Sequence, residues 1–305
     1  MNKLLGSACL AVACTTTGAW AQAAAPGEPV IAQYSIDTTV RLMSDRRSRG
    51  ISDSYRRPAA ELHVEAAHAS GLVGVFELGT VSRHVYPESD GYNALIAGGY
   101  RWGNPDAWHF GVGLAHERFP GAHFEAPTAI EIVIDPATGM PALAPAGVRD
   151  FHFTTSYAVL EFGFGAIEAR YLNVISRDFR GINTGMVCGT LLLQREDPTS
   201  GLDCYARGDH GSRGSHLLDL DWQHAIDGRT WLLLHGGVQR VKHFSEANGW
   251  DWRAGIKHAR WGLDWTLEAV GARMKTRELF VGFDGNGGSK RLDSTGVVFT
   301  IAKTF

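Results

Sequence analysis

The chain has 305 residues, 37 of them glycine, with a formal net charge of −3 and a mean hydropathy of −0.12. A charge this close to zero argues against nucleic acid as a partner, because phosphate recognition needs an excess of basic residues. The length suits two soluble domains or one β-barrel. Beyond the first 21 residues, no run of 18 apolar residues predicts a membrane-spanning helix.

The first residues have the pattern of a secretory signal peptide. Residues 1–13 combine a positive start with an apolar stretch, and Ala19 and Ala21 form a small-residue cleavage site. We therefore expect residues 1–21 to be a signal peptide that directs export, followed by a periplasmic tail over residues 22–33.

The rest of the chain alternates apolar and polar residues in a series of short segments. In the first segment, Ile36, Val40 and Leu42 share one face, and Asp37 and Arg41 share the other. Each segment is close to the roughly 9–11 residues that a tilted strand needs to cross a bilayer. The predicted strands are residues 34–43, 59–69, 72–81, 92–102, 108–118, 151–162, 167–176, 215–225, 230–240, 250–258, 262–272 and a twelfth that ends at 305.

The connections between these strands are alternately short and long. An even number of strands places both ends of the chain on one side, and a sheet in lipid must close so that its backbone groups are paired. The sequence therefore predicts an all-β fold, a transmembrane antiparallel up-and-down β-barrel over residues 34–305. Its short turns would be periplasmic and its long loops extracellular, in the outer membrane of a Gram-negative bacterium.

The last predicted strand supports this location. Val297, Phe299 and Ile301 alternate with Val298, Thr300 and Ala302, and the strand ends in Phe305. An amphipathic final strand with a terminal aromatic residue is typical of substrates of the barrel-assembly machinery. We predict that Phe305 is the assembly signal, and that outer-membrane lipid and lipopolysaccharide surround the barrel.

The segment from Ser44 to Ser52 resembles the opening motif of the TorF family (also called the Gcw_chp family). That motif is a Ser-Asp pair, an aromatic-rich stretch and then Arg-Gly-x-Ser; here Arg46 and Ser48 replace aromatic residues. The resemblance implies an outer-membrane barrel of a kind called a porin by analogy, without a defined substrate. Further short matches occur at residues 58, 97–101, 119–121, 218–220, 235–237 and 303–305, and along the second and third predicted strands.

Strand alternation places one set of ionisable side chains inside the barrel, with acids outnumbering fixed bases about two to one. Two interpretations remain open. The charges could pair into a plug that stiffens a narrow barrel, because isolated buried charges are costly. They could instead line a hydrated pore with mild cation preference, as carboxylate rings do. The predicted lumen-lining residues are Asp37, Arg41, Glu61, His63, Glu65, Glu77, Arg101, His109, Glu161, Glu168, Arg170, Asp219, Asp221, His235, Arg253, Lys257, Asp264 and Glu268.

The first long connection, residues 44–58, is rich in arginine. We expect it to be an external loop that is either simply solvated or able to bind lipopolysaccharide phosphates and anionic solutes. The arginines concerned are Arg46, Arg47, Arg49, Arg56 and Arg57.

Cys188 and Cys204 lie 16 residues apart in a polar segment of the exported chain. In an oxidising compartment they favour a loop disulfide over a metal site. The histidines form no metal-binding spacing, so the sequence predicts no metal and no cofactor.

Enzymatic activity is a further alternative, because some outer-membrane barrels hydrolyse lipids. Candidates by sequence proximity are Ser82 with His84, and Asp209 and His210 with Ser212, but neither spacing is diagnostic. We expect no enzyme, and predict a passive channel for small polar solutes. The main alternative is a closed structural or adhesive barrel that acts through its long loops at 119–150 and 182–212.

Overall fold

The computed structural model describes residues 34–104, 107–194, 197–284 and 286–305. The predicted signal peptide (1–21) and periplasmic tail (22–33) lie outside these residues. Twelve strands form a closed antiparallel barrel in which successive strands pair and the first pairs with the last, which confirms the predicted fold. The strands are β1 Tyr34–Met43, β2 Ala59–His68, β3 Leu72–Thr80, β4 Tyr92–Asn104, β5 Trp108–Ala126, β6 Arg149–Phe164, β7 Ile167–Val174, β8 His216–Ala225, β9 Thr230–Arg240, β10 Gly249–Arg260, β11 Leu263–Met274 and β12 Gly296–Thr304.

The outer wall is apolar because side chains alternate across each strand. In β1, Ile36 and Leu42 are exposed on the outside, whereas Thr39 is buried inside. Trp102 and Trp108 are exposed beside a short turn. An apolar wall with aromatic rings near its rim is the surface that a membrane barrel presents to lipid.

The two ends of the barrel differ in the length of their connections. Five short turns lie at one end, together with the start of β1 and the end of β12, and six long connections lie at the other. We call these the short-turn end and the long-loop end.

The long loop predicted over residues 119–150 consists mostly of β-strand. β5 and β6 remain paired as far as Ala126 and Arg149, and a two-stranded hairpin joins them. The ladder shifts register between His152 and Thr154. Pro120 lies opposite this shift, where proline, which has no N–H, is tolerated in a sheet. The hairpin strands are Ala129–Ile134 and Pro141–Ala146.

Two helices, α1 Thr184–Gln194 and α2 Thr199–Ala206, lie in the connection between β7 and β8. The alternation pattern did not predict them. Cys188 and Cys204 join them in a disulfide bond, with their Cα atoms 5.2 Å apart. No helix among the described residues is both long enough and apolar enough to cross a membrane.

Apolar side chains from these helices and neighbouring loops pack together at the long-loop end. We call this group the apolar cap and define it as Phe179, Ile182, Val187, Leu191 and Phe280. It belongs to one buried cluster with inward-facing strand residues of β3 to β8 and β11. The barrel interior along β3 to β8 therefore contains an apolar core beside its charged residues.

We predict that the disulfide holds α1 and α2 in place. Helices of 11 and 8 residues are too short to be stable alone, and closing a loop of this size contributes about 3 kcal/mol. Cys188→Ser/Cys204→Ser should speed trypsin cleavage within residues 184–207, while the barrel stays resistant to unfolding in cold SDS. An unchanged cleavage rate would contradict this.

Candidate functional site

The structure places every predicted lumen-lining side chain on the inner side of the barrel. Most are buried, and the others are half-buried. The half-buried residues are Asp37, Arg41, His109, Glu168, Asp221 and Asp264. Their use by a solute stays a prediction.

The first long connection folds into the barrel, so the prediction of an external basic cluster is wrong for three of its arginines. Arg46, Arg47 and Arg49 are only 5–7% exposed. Residues 47–48 pair with residues 51–52 in a tight hairpin. We refer to residues 45–54 as the crossing hairpin. Arg56 and Arg57, which follow it, are exposed as predicted for loop residues.

The tip of the crossing hairpin is a two-residue turn with left-handed backbone. Arg49 and Gly50 have φ of 52° and 71°, the signs that a type I′ hairpin turn requires. Glycine is also required by space, because a Cβ at Gly50 would lie 2.6 Å from the carbonyl oxygen of Gly271 in β11. The tip therefore touches the barrel wall.

Arg46 binds carboxylates on one side of the barrel. Its guanidinium lies 3.0 Å from Glu61 in β2, 2.9 Å from Glu77 in β3 and 3.3 Å from Asp53. Burial lowers the pKa of Arg46, but the three carboxylates more than offset this effect and raise it. A Cβ at Gly79 would lie 2.4 Å from its Nε, so glycine leaves the space in which the guanidinium lies.

Arg49 binds carboxylates on the opposite side. Its Nη1 donates to Asp219 in β8 at 2.7 Å, and its Nη2 lies 3.6 Å from Asp251 in β10. Since β2 and β8 are six strands apart in a ring of twelve, the segment from Arg46 to Arg49 spans the bore.

Arg47 attaches the crossing hairpin to the loop before β12. Its guanidinium donates to Asp45 at 2.6 Å and to the carbonyl oxygen of Ser294 at 2.6 Å. Asp45 also accepts from Ser52 at 2.5 Å. The three arginines thus face inward because acids on the wall and in the hairpin would otherwise be buried without partners.

A second group extends this network towards β5. Arg180 makes a bidentate ion pair with Glu117 at 2.9 and 2.6 Å, and Tyr86 donates to Asp53 at 2.6 Å. Burial raises the pKa of Asp53, while the guanidiniums of Arg180 and Arg46 oppose that shift. The hairpin is therefore held at its base as well as at its tip.

The wall charges also pair with one another. His235 lies between Asp221 and Asp251, at 2.8 and 3.0 Å. Asp221 also accepts from Arg170 at 2.7 Å. Arg101 pairs with Glu161 at 2.8 Å, next to the ring of His109. The interior is thus an extended network of ion pairs around the crossing hairpin.

Some members of this network were missed at the sequence level. Glu117 shares the inward face of β5 with His109, and Asp251 shares that of β10 with Arg253, so strand alternation could have identified both. Asp53 and Arg180 lie in connections, where alternation carries no signal.

The candidate catalytic side chains are bound to other groups. The ring of His84 contacts the carbonyl oxygen of Phe283 at 3.0 Å, and that of His210 contacts the carbonyl of Arg207 at 2.8 Å. Ser212 donates to the carbonyl of Ile182 at 2.6 Å. No group of three or more potential metal-ligating side chains occurs in the described part of the chain.

Comparison with known proteins finds several bacterial outer-membrane barrels of solved structure. The NanC porin is 10% identical, with 88% of this chain and 98% of that chain covered and a TM-score of 0.46. The KdgM porin, solved with disordered oligogalacturonate, is 7% identical, with 88% of this chain and 97% of that chain covered and a TM-score of 0.39. The COG4313 outer membrane channel from Pseudomonas putida F1 is 11% identical, with 92% of this chain and 100% of that chain covered and a TM-score of 0.39.

At these identities and TM-scores, the similarity supports no conclusion about function. No protein-family model matches the chain, and no curated protein matches it significantly. The resemblance to the TorF family therefore stays a prediction.

We predict that Arg46 is required for stability because its loss leaves Glu77 without its guanidinium partner and Glu61 paired with Arg41 alone, at 2.6 Å. Arg46→Met should cost about 3–5 kcal/mol, measured as urea unfolding in lipid vesicles by tryptophan fluorescence. Adding Glu77→Gln to Arg46→Met should recover part of the lost free energy of unfolding. The control is Arg57→Met, an exposed arginine of the same connection; equal effects of Arg46→Met and Arg57→Met would contradict the prediction.

Proposed function

We propose that this protein is an outer-membrane channel for small polar solutes, in which the crossing hairpin narrows the bore. The observation that supports the proposal is a closed barrel whose inner wall carries ionisable side chains from the short-turn end to the middle. Such a wall is hydrated more readily than an apolar one. In this arrangement the short-turn end faces the periplasm and the long-loop end faces outward.

The proposed channel prefers cations mildly. The arginines of the crossing hairpin are buried in ion pairs, whereas the half-buried interior residues are mainly carboxylates. Asp37, Glu168, Asp221 and Asp264 are the acids of this kind. Of these, Asp221 is paired with Arg170 at 2.7 Å, and the excess of acids over bases among the half-buried residues is the basis for the proposed cation preference.

The crossing hairpin makes the path narrow. A cavity of about 50 Å³ remains between the hairpin and the wall, bounded by Arg41, Arg46, Glu61 and Glu268. This volume holds a few water molecules at most. Passage of a larger solute requires the hairpin to move, so the conductance of the intact protein is low.

A closed barrel that acts through its outer loops is the second candidate. The observation that favours it is that both the crossing hairpin and the apolar cap occupy the interior. The hairpin over residues 129–146, which extends from β5 and β6 with exposed apolar side chains, would then be a contact surface. Conductance distinguishes the two candidates.

The proposal includes the partners expected for such a barrel. The apolar wall would contact outer-membrane lipid and lipopolysaccharide, and the assembly machinery would recognise β12 with Phe305, which is exposed at the short-turn end. Membership of the TorF family, suggested by the segment from Ser44 to Ser52, is part of the same proposal.

We predict that shortening the crossing hairpin increases conductance. The N–H of Asp53 donates to the carbonyl oxygen of Arg46 at 2.8 Å, so residues 47–52 can be replaced by two glycines with little movement of the ends. In planar bilayers this variant should show larger single-channel steps than the intact protein. In a salt gradient, its reversal potential should move towards the equilibrium potential of the cation, because Arg47 and Arg49 are lost.

A matched control shortens an exposed turn instead. Residues 136–139 lie at the tip of the hairpin over residues 129–146, where the N–H of Asp135 donates to the carbonyl of Met140 at 2.9 Å. Replacing them by two glycines should leave conductance unchanged. If neither the intact protein nor the variant lacking residues 47–52 shows conductance steps, the channel proposal is wrong and the closed barrel is favoured.

A further inference from the structure

A cavity of about 240 Å³ lies at the long-loop end, above the crossing hairpin. Its walls come from the ends of β5 and β6, from α1, and from the connections before β4, after β7 and before β12. Five phenylalanines supply much of its surface: Phe124, Phe153, Phe179, Phe280 and Phe283. Phe283 is 52% exposed, whereas Phe179 is 3% exposed, so the cavity runs from the surface to the core.

The buried end of this cavity carries polar atoms that lack partners. Ser48 and Arg49 line it and are only 4% and 5% exposed. Within the described residues, neither Oγ of Ser48 nor Nε of Arg49 has a hydrogen-bond partner. A buried donor without an acceptor is costly, so an acceptor atom placed here gains a full hydrogen bond.

Two other polar side chains around the cavity are already engaged. Arg180 is paired with Glu117 at 2.6 Å, and the amide of Gln239 donates to the carbonyl oxygen of Ala247 at 2.7 Å. Thr190 is half-buried and Gln194 is exposed, so Ser48 and Arg49 supply the buried donors that remain for a bound molecule.

The charges near these donors select against an anion. Arg49 is neutralised by Asp219 at 2.7 Å, with Asp251 a further carboxylate at 3.6 Å. A bound carboxylate would face both acids in a region of low polarity. A neutral oxygen accepts the same hydrogen bonds without that repulsion.

We propose that this cavity is a binding site for a small neutral aromatic compound that carries a hydrogen-bond-accepting oxygen. The phenylalanines contact the ring, and Ser48 and Arg49 donate to the oxygen. The volume fits a single ring with a short substituent, because an apolar cavity of about 150 Å³ holds benzene. This site goes beyond the proposed channel, since binding does not require passage through the barrel.

The test is binding of three matched probes to the purified full chain in detergent, followed by fluorine NMR. 4-Fluoroacetophenone carries the neutral acceptor, 1-ethyl-4-fluorobenzene lacks it, and 4-fluorobenzoate replaces it with an anion. We expect saturable binding of the ketone, about tenfold tighter than that of either other probe. Equal affinities for the ketone and the ethyl compound would overturn the assignment of the donors.

Two variants separate the site from partition into detergent. Met186→Trp fills the cavity from α1 and should abolish saturable binding, while near-ultraviolet circular dichroism verifies folding. Ser48→Ala should weaken binding of the ketone but not binding of the ethyl compound. Its control is Ser89→Ala, a buried serine that also lacks a partner for Oγ but does not line the cavity.

Each outcome decides the proposal independently of conductance. Loss of ketone binding in Met186→Trp and weakening in Ser48→Ala, but not in Ser89→Ala, would support the site. Absence of saturable ketone binding, or binding unaffected by Met186→Trp, would overturn it even if the protein forms channels. Conversely, a protein without conductance that binds the ketone would retain the site and lose the channel.

Discussion

The ion pairs between the crossing hairpin and the barrel wall are the constraint on which the interior depends. A carboxylate enclosed by a sheet is costly to ionise unless a cation reaches it, and acids outnumber bases on this wall. Arg46 and Arg49 bring guanidiniums to Glu61 and Asp219, which lie on opposite strands. The hairpin is thus part of the electrostatic balance of the barrel rather than an external loop.

Glycines on the wall make these pairings possible. A Cβ at Gly79 would collide with Arg46 and one at Gly296 with Arg47, while one at Gly237 would collide with Asp251, the carboxylate beside Arg49. Glycine weakens a strand, but at these positions the loss is offset by close approach of a charged group. The abundance of glycine in the sequence is therefore partly a packing requirement of the interior, and no feature of composition alone reveals which glycines serve this purpose.

The sequence predicted the barrel well because alternation is a local signal. A residue such as Ile36 or Asp37 shows its face by the parity of its neighbours, and this holds for all twelve strands. The position of the crossing hairpin depends instead on contacts with residues elsewhere in the chain, from Glu61 to Asp219, which lies 170 positions from Arg49. An arginine in a connection has the same local pattern whether it meets water or a buried acid, so Arg46, Arg47 and Arg49 could not be placed. The helices were missed for a similar reason, because they lie in a connection and pack against strand residues distant in the sequence.

The contacts above the crossing hairpin link its position to that of the last long connection. The N–H of Ser52 donates to the carbonyl oxygen of Leu292, and Arg47 binds the carbonyl of Ser294, so the final long connection lies against the hairpin. Phe280, from the same connection, belongs to the apolar cap. The N-terminal hairpin and the C-terminal connection are thus packed as one unit. Displacing either of them breaks the same hydrogen bonds, so widening of the bore and rearrangement of the final long connection are coupled.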